Sequence, residues 1–161
     1  MITASKLAGF FTAHAIWSVS DGEDLIPMLA HDDFDGNRQM SRLAMEGEQA
    51  VEHGRQLLEK NESDAMDGAL LYQGWIQLDQ GKIDAIIIEL RTYFSLDSRA
   101  VYAIPYTPGS SGTFKVHSPK ILEWDHCEDF DMNRAMEAFF EGVEEHEEGA
   151  RVWHDALDES L

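Results

Sequence analysis

The chain has 161 residues, 43% of them hydrophobic, with eight Phe, four Trp and four Tyr. That length and apolar content suit one domain with its own core and exclude a disordered chain. Its 31 acidic residues against 12 basic ones leave a formal net charge of -19, a field that repels phosphate backbones and anionic bilayers and so argues against nucleic acid and membrane as partners.

The charge is uneven. Residues 121–161 hold 14 acidic side chains and two arginines, a net of -12, which leaves -7 for the first 120 residues. A basic protein is the partner such a field attracts, although surface carboxylates also serve solubility alone. The single cysteine, Cys127, allows no disulfide within the chain and points to a reducing, cytoplasmic setting. No stretch approaches the roughly 18 apolar residues of a membrane span.

In chain order, residues 3–17 read as a first helix, because Leu7, Phe10, Phe11, His14 and Trp17 recur at three- and four-residue steps. The apolar run Leu7 to Ala15 is short and holds Thr12 and His14, so it reads as structure and not as a secretory leader. Leu25 to Leu29 is a short extended segment, since Pro27 disfavours helix in the residue before it. His31 to Asn37 reads as a polar loop. A second helix is expected over 41–60, with Gly47 and Gly54 on its inward stripe marking close approach to another element.

The period then changes from helical to alternating. Strands are expected at 69–78 and 82–94, joined at Asp79-Gln80-Gly81, then at 99–107 and 113–118 around Gly109-Ser110-Ser111-Gly112. Pro105 and Pro119 place the later strands near an edge. A third, amphipathic helix over 129–146 turns Met132, Ala135, Met136, Phe139, Phe140 and Val143 inward, and residues 151–157 add a last helical turn. The expected fold is a single α+β domain: two N-terminal helices, a four-stranded antiparallel β-meander and a C-terminal amphipathic helix.

Few motifs carry chemistry. The loop His31-Asp32-Asp33-Phe34-Asp35-Gly36-Asn37 fails as an EF-hand in either frame, because Arg42 or Arg38 falls where the twelfth-position Glu or the glycine is needed. Gly109 to Gly112 lies between strands and lacks the helix N-terminus of a phosphate cradle. Asp125-His126-Cys127 are neighbours in sequence and so rarely converge on one point, and no second pair of zinc ligands is spaced to join them. No metal or cofactor is expected.

The sheet is more informative. In the second strand Ile83, Ala85, Ile87, Glu89, Arg91 and Tyr93 share one face, apolar at one end and charged at the other. If the rows Gln73, Trp75 and Gln77, Tyr102, Ile104 and Tyr106, and Lys115 and His117 share that face, it combines aromatics with the few basic groups of an acidic chain. Trp75, Glu89, Arg91, Tyr93, Tyr102, Tyr106, Lys115 and His117 are the candidate ligand-binding residues on that register.

Two functions follow as expectations. The first is a non-enzymatic binding protein, a homodimer being one form, that holds a basic protein on this mixed face or on the acidic face Glu137, Glu141, Glu144, Glu145 and Glu148. The second is a small enzyme or small-anion-binding domain with a pocket near Arg91 and His117, in which His14 or His117 acts as a base.

Overall fold

The computed structural model describes every residue except Leu96. Helix α1 (Ile2–Ser20) leads into strands β1 (Met28–Asp32) and β2 (Arg38–Arg42) and helix α2 (Gly47–Lys60). Strands β3 (Asp67–Leu78), β4 (Gly81–Thr92), β5 (Arg99–Thr107), β6 (Lys115–Val116) and β7 (Lys120–Asp125) follow, then helices α3 (Met132–Glu145) and α4 (Glu147–Ala156). The seven strands make one curled antiparallel sheet, a half-barrel, in the order β2-β1-β3-β4-β5-β6, with β7 also running beside β5.

The expected two helices, four-stranded meander and single C-terminal helix are therefore corrected to four α-helices and seven strands among the described residues. The loop at 33–37 closes a hairpin: Asp33 Oδ1 accepts the backbone N–H groups of Asp35 and Asn37, both at 2.9 Å. Ser41 and Arg42 consequently pair with Leu29 and Met28 as strand, and α2 starts only at Gly47. The strands at issue are five residues long, too short for alternation to show against a helical stripe that Leu43 happens to continue. Strand β7 sits behind Pro119, where edge position and exposed acids conceal it. The third helix ends at His146, whose side chain accepts the Gly149 N–H and so caps α4 as a separate helix. Pro105 lies in β5, which is paired on both sides, by β4 and by β6 with β7.

Helix α1 occupies 2–20, close to its expected span, but it buries more than one stripe. Ala4, Leu7, Ala8, Ala13, Ala15, Ile16 and Val19 join Phe11 in the core, while Trp17 stands 39% exposed. A helix that is apolar or small on nearly every side is a helix enclosed by other elements. Here the sheet packs on one side, through Ala69, Leu71, Ile86, Ile88, Tyr102 and Ile104, and Phe139, Val143 and Trp153 from α3 and α4 on the other.

The approach of α3 and α4 to α1 is set by glycines. A Cβ at Gly9 would lie 1.8 Å from the Phe139 carbonyl oxygen, one at Gly142 2.0 Å from that of Lys6, and one at Gly149 2.4 Å from that of Ala13. Backbone meets backbone at these points, and no side chain can give way. On the opposite face of the sheet α2 packs Ala50 and Leu58 against Leu29, Leu43 and Leu70. Gly54 has the expected close contact, its hypothetical Cβ falling 2.5 Å from Leu70 Cδ1, whereas Gly47 opens the helix at φ +22 with nothing near it.

Gly9→Ala and Gly142→Ala are each expected to lower stability by about 3 kcal/mol or more, because the overlap is with rigid backbone. Gly109→Ala, with open space around it, should change stability by no more than about 0.5 kcal/mol. Urea unfolding of the three variants checks this ranking.

Candidate functional site

Strand pairing decides which side chains share a face. Glu89 stands opposite Val101 and Arg91 opposite Arg99, while Tyr102 stands opposite Ile88 and Ile104 opposite Ile86. Glu89 and Arg91 therefore face the α2 side with Ala85 and Ile87, and Tyr102 and Tyr106 face α1. Tyr102 is fully buried, 2.7 Å from Ser5 Oγ and edge-on to Phe139, and burial pushes its hydroxyl up to about 12. Tyr106 accepts from Gln73 Nε2 at 2.9 Å. Trp75 is 54% exposed at the far end of β3, with the Lys82 ammonium 4.5 Å from its ring.

The remaining three lie elsewhere. Tyr93, past the end of β4, donates to the Leu58 carbonyl under the end of α2 and stacks with His31. His117 is buried, with Nδ1 3.0 Å from the Asp158 carbonyl and Nε2 2.9 Å from Thr107 Oγ1. The carbonyl can only accept, so Nδ1 carries the proton and Nε2 accepts the Thr107 hydroxyl. Lys115 pairs with Asp158 at 3.4 Å. Arg91 faces the start of β5 and His117 hydrogen-bonds Pro105 near its end, so the two belong to different ends of the sheet.

What the structure does assemble around Glu89 and Arg91 is a groove of about 750 Å³ on the sheet face beside α2. Ile87, Val101 and Gly74 line it together with Leu122, which is 47% exposed. Arg55 from α2 grips Glu89 through Nε at 2.9 and 3.0 Å and through its terminal nitrogen at 2.8 Å. The Tyr72 hydroxyl donates to the same carboxylate at 2.6 Å, and burial, aided by that carboxylate, holds the Tyr72 proton on up to about 12. The Glu89 hydrogen bonds in turn raise the Arg55 guanidinium above its ordinary value. A second cluster follows: Glu59 bridges Arg91 at 2.6 Å and Arg99 at 3.2 Å. Three arginines thus meet two glutamates, Glu59 and Glu89; the exposed Glu123 also lines the groove.

Arg55, Glu59, Tyr72, Arg99, Val101 and Leu122 are groove residues that sequence reasoning did not name. A signal for them existed. Pairing the apolar row Ile86, Ile88 and Leu90 with the apolar row Tyr102, Ile104 and Tyr106 puts Glu89 beside Val101, and the four-residue step from Arg55 to Glu59 puts both on one side of α2. Arg55 and Tyr72 also line a second, wider groove of about 1190 Å³ between the start of α2 and the segment Asp24–Pro27.

Other candidates have structural partners. Cys127 is buried, its thiol pushed up by that burial, and it points to the Asp125 and Arg99 carbonyls. His14 Nδ1 lies 3.2 Å from His146 Nε2, and burial followed by His146 and Arg42 lowers its pKa. The acidic helix has several carboxylates committed: Glu141 to Arg134, Glu144 to His154, and Glu145 to Lys6 and Arg38. Among the described residues, no three His, Cys, Asp or Glu side chains are grouped to hold a metal ion. Among the described residues no helix is long and apolar enough to cross a membrane.

One buried pair was not foreseen. Asp32 and Asp67 face each other across the β1–β3 ladder, next to Thr92 on β4, and Asp67 is wholly buried. Asp67 Oδ1 and Oδ2, Asp32 Oδ1 and Thr92 Oγ1 make no hydrogen bond of regular geometry. Burial and the neighbouring Asp67 push the Asp32 carboxyl up to about 8, and burial raises Asp67 as well, against the pull of the Thr3 and Thr92 hydroxyls. Comparison with protein-family models, with curated proteins and with solved structures gives no match.

An acid whose pKa is raised on folding favours the fold while it is protonated. Its contribution is complete below the ordinary carboxyl range and is lost as pH climbs toward 8. Asp32→Asn removes this loss, so its stability relative to the native chain should rise between pH 5 and pH 8.5 by about 1 kcal/mol or more. Urea midpoints at both pH values test this; a difference that is constant or shrinks with pH contradicts it.

Proposed function

We propose that this chain is a non-enzymatic binding protein that holds a protein partner on the sheet face beside α2. The observation that carries this reading is the groove itself, an apolar floor of Ile87, Val101 and Gly74 with Leu122, rimmed by Arg55, Arg91, Arg99, Glu59 and Glu89, whose charges already pair. An apolar centre within a satisfied polar rim is how a protein interface is built. A general base or nucleophile needs a group left free to react. Here Tyr72 is held protonated, and Glu89 is held by three hydrogen bonds and the Arg55 ion pair. The net charge of -19 favours a basic partner, and the buried lone cysteine suits a reducing compartment such as the cytoplasm.

The half-exposed Arg99 supports a second reading, in which a small carboxylate or phosphate binds at the groove. Two assays separate them. Trp75→Ala and Leu122→Asp, at exposed positions of the groove lining, should leave thermal unfolding nearly unchanged yet release the protein captured from the source cells by the native chain, while Phe34→Asp, on an exposed loop, retains it. Capture that both groove variants keep counts against the interface. A metabolite that raises the melting temperature of the native chain but not of Arg99→Ala establishes the second reading instead.

A further inference from the structure

The wider groove along α2 has a different character from the sheet face. Leu25, Ile26 and Pro27, Ala44 and Met45, and Val51 of α2 all line it. Ile26 is 46% exposed and Met45 49%, so two large apolar side chains in the lining of one concavity stand open to water. Single exposed apolar residues are ordinary on a protein surface, but two in one lining with apolar neighbours make a patch. Methionine suits such a place, because its unbranched side chain adapts to the shape of what it meets.

The charges around the patch are acidic. Asp24, Glu48 and Glu52 line it, and Asp21, Glu23 and Glu46 are exposed in the same two segments. The one arginine in the lining, Arg55, is engaged with Glu89. The salt bridge of Glu52 to Arg55 is long, at 3.7 Å, which leaves that carboxylate largely to solvent. The mouth is therefore negative around an apolar centre.

We infer that this groove receives a polypeptide segment in which apolar side chains alternate with Lys or Arg. The apolar side chains would cover Ile26, Met45 and Val51, and the cations would meet Asp24, Glu48 and Glu52. Electrostatic attraction across this acidic rim accelerates encounter, and burial of the apolar centre slows release. The inference rests on the reading of the chain as a binding protein. It concerns a surface that touches the sheet-face groove only at Arg55 and Tyr72.

The probe is a fluorescein-labelled peptide of alternating leucine and lysine, titrated with the intact protein at physiological salt and followed by anisotropy. The expected result is saturable one-to-one binding, weakened at least tenfold by Ile26→Asp with Met45→Asp and by Glu48→Lys with Glu52→Lys. A peptide with serine for leucine should bind at least tenfold more weakly, and one with glutamate for lysine should not bind. Leu122→Asp and Phe34→Asp should leave affinity within twofold. Three outcomes overturn the inference: absence of saturable binding, equal binding of the serine peptide, or equal weakening by Glu128→Lys with Asp129→Lys, exposed acids outside the groove lining, which marks attraction to net charge alone. Weakening by Leu122→Asp alone also overturns it, while leaving the sheet-face reading in place. Circular dichroism of each variant confirms that its fold is intact before its affinity is compared.

Discussion

The rest of the structure depends on the enclosure of α1. Its carbonyls at Lys6 and Ala13 lie where Gly142 and Gly149 carry no side chain, and its own Gly9 admits the Phe139 carbonyl. Because these contacts are backbone against backbone, α3 and α4 can settle directly onto α1 while its opposite side fills the curl of the sheet. Tyr102 shows how one interior serves both layers, reaching Ser5 on α1 and the ring of Phe139 on α3. Burial of this kind is the dominant favourable term in folding.

With one face of the sheet covered by three helices, the other carries only α2. That helix covers the part of the face around Leu29 and Leu70, while around Ile87 and Val101 the strand side chains pack on one another and leave Trp75 and Leu122 exposed beside them. The ion pairs at its border do two things at once. Glu89 would be costly to desolvate alone, and Arg55 with Tyr72 satisfies it. The same groups form a polar edge for whatever lies on the apolar strip. The proposed sheet-face groove lies beside the later turns of α2, at Arg55 and Glu59, and the wider groove at its start.

Much of this was legible in the sequence. The long first helix, the Asp79–Gly81 turn and the three central strands follow from periodicity and turn chemistry, because each is long enough for its pattern to repeat. The hairpin of β1 and β2 was not legible, since five-residue strands carry too few alternations and Leu43 extends the apparent helical stripe backward. The face of the sheet was only half legible. Glu89 and Arg91 were singled out, but their strand neighbours depended on register, and a one-residue choice decides whether Tyr102 or Val101 stands beside them. The tight helix crossings had weak signals in Gly9, Gly142 and Gly149, residues whose meaning appears only once a second backbone is in place. The Asp32–Asp67 pair was hidden because the two residues meet through β1–β3 pairing, and β1 was not seen as a strand.

The molecule has an enclosed α1 side that secures the fold and a lightly covered α2 side. Native-state hydrogen exchange tests that division most directly, since it ranks elements by the free energy needed to open them. The α1 amides, from about Leu7 to Ile16, are expected to exchange only through global unfolding, while α2 amides open at distinctly lower free energy. Equal protection of α2 and α1, or local opening of α1 below the global limit, would contradict it.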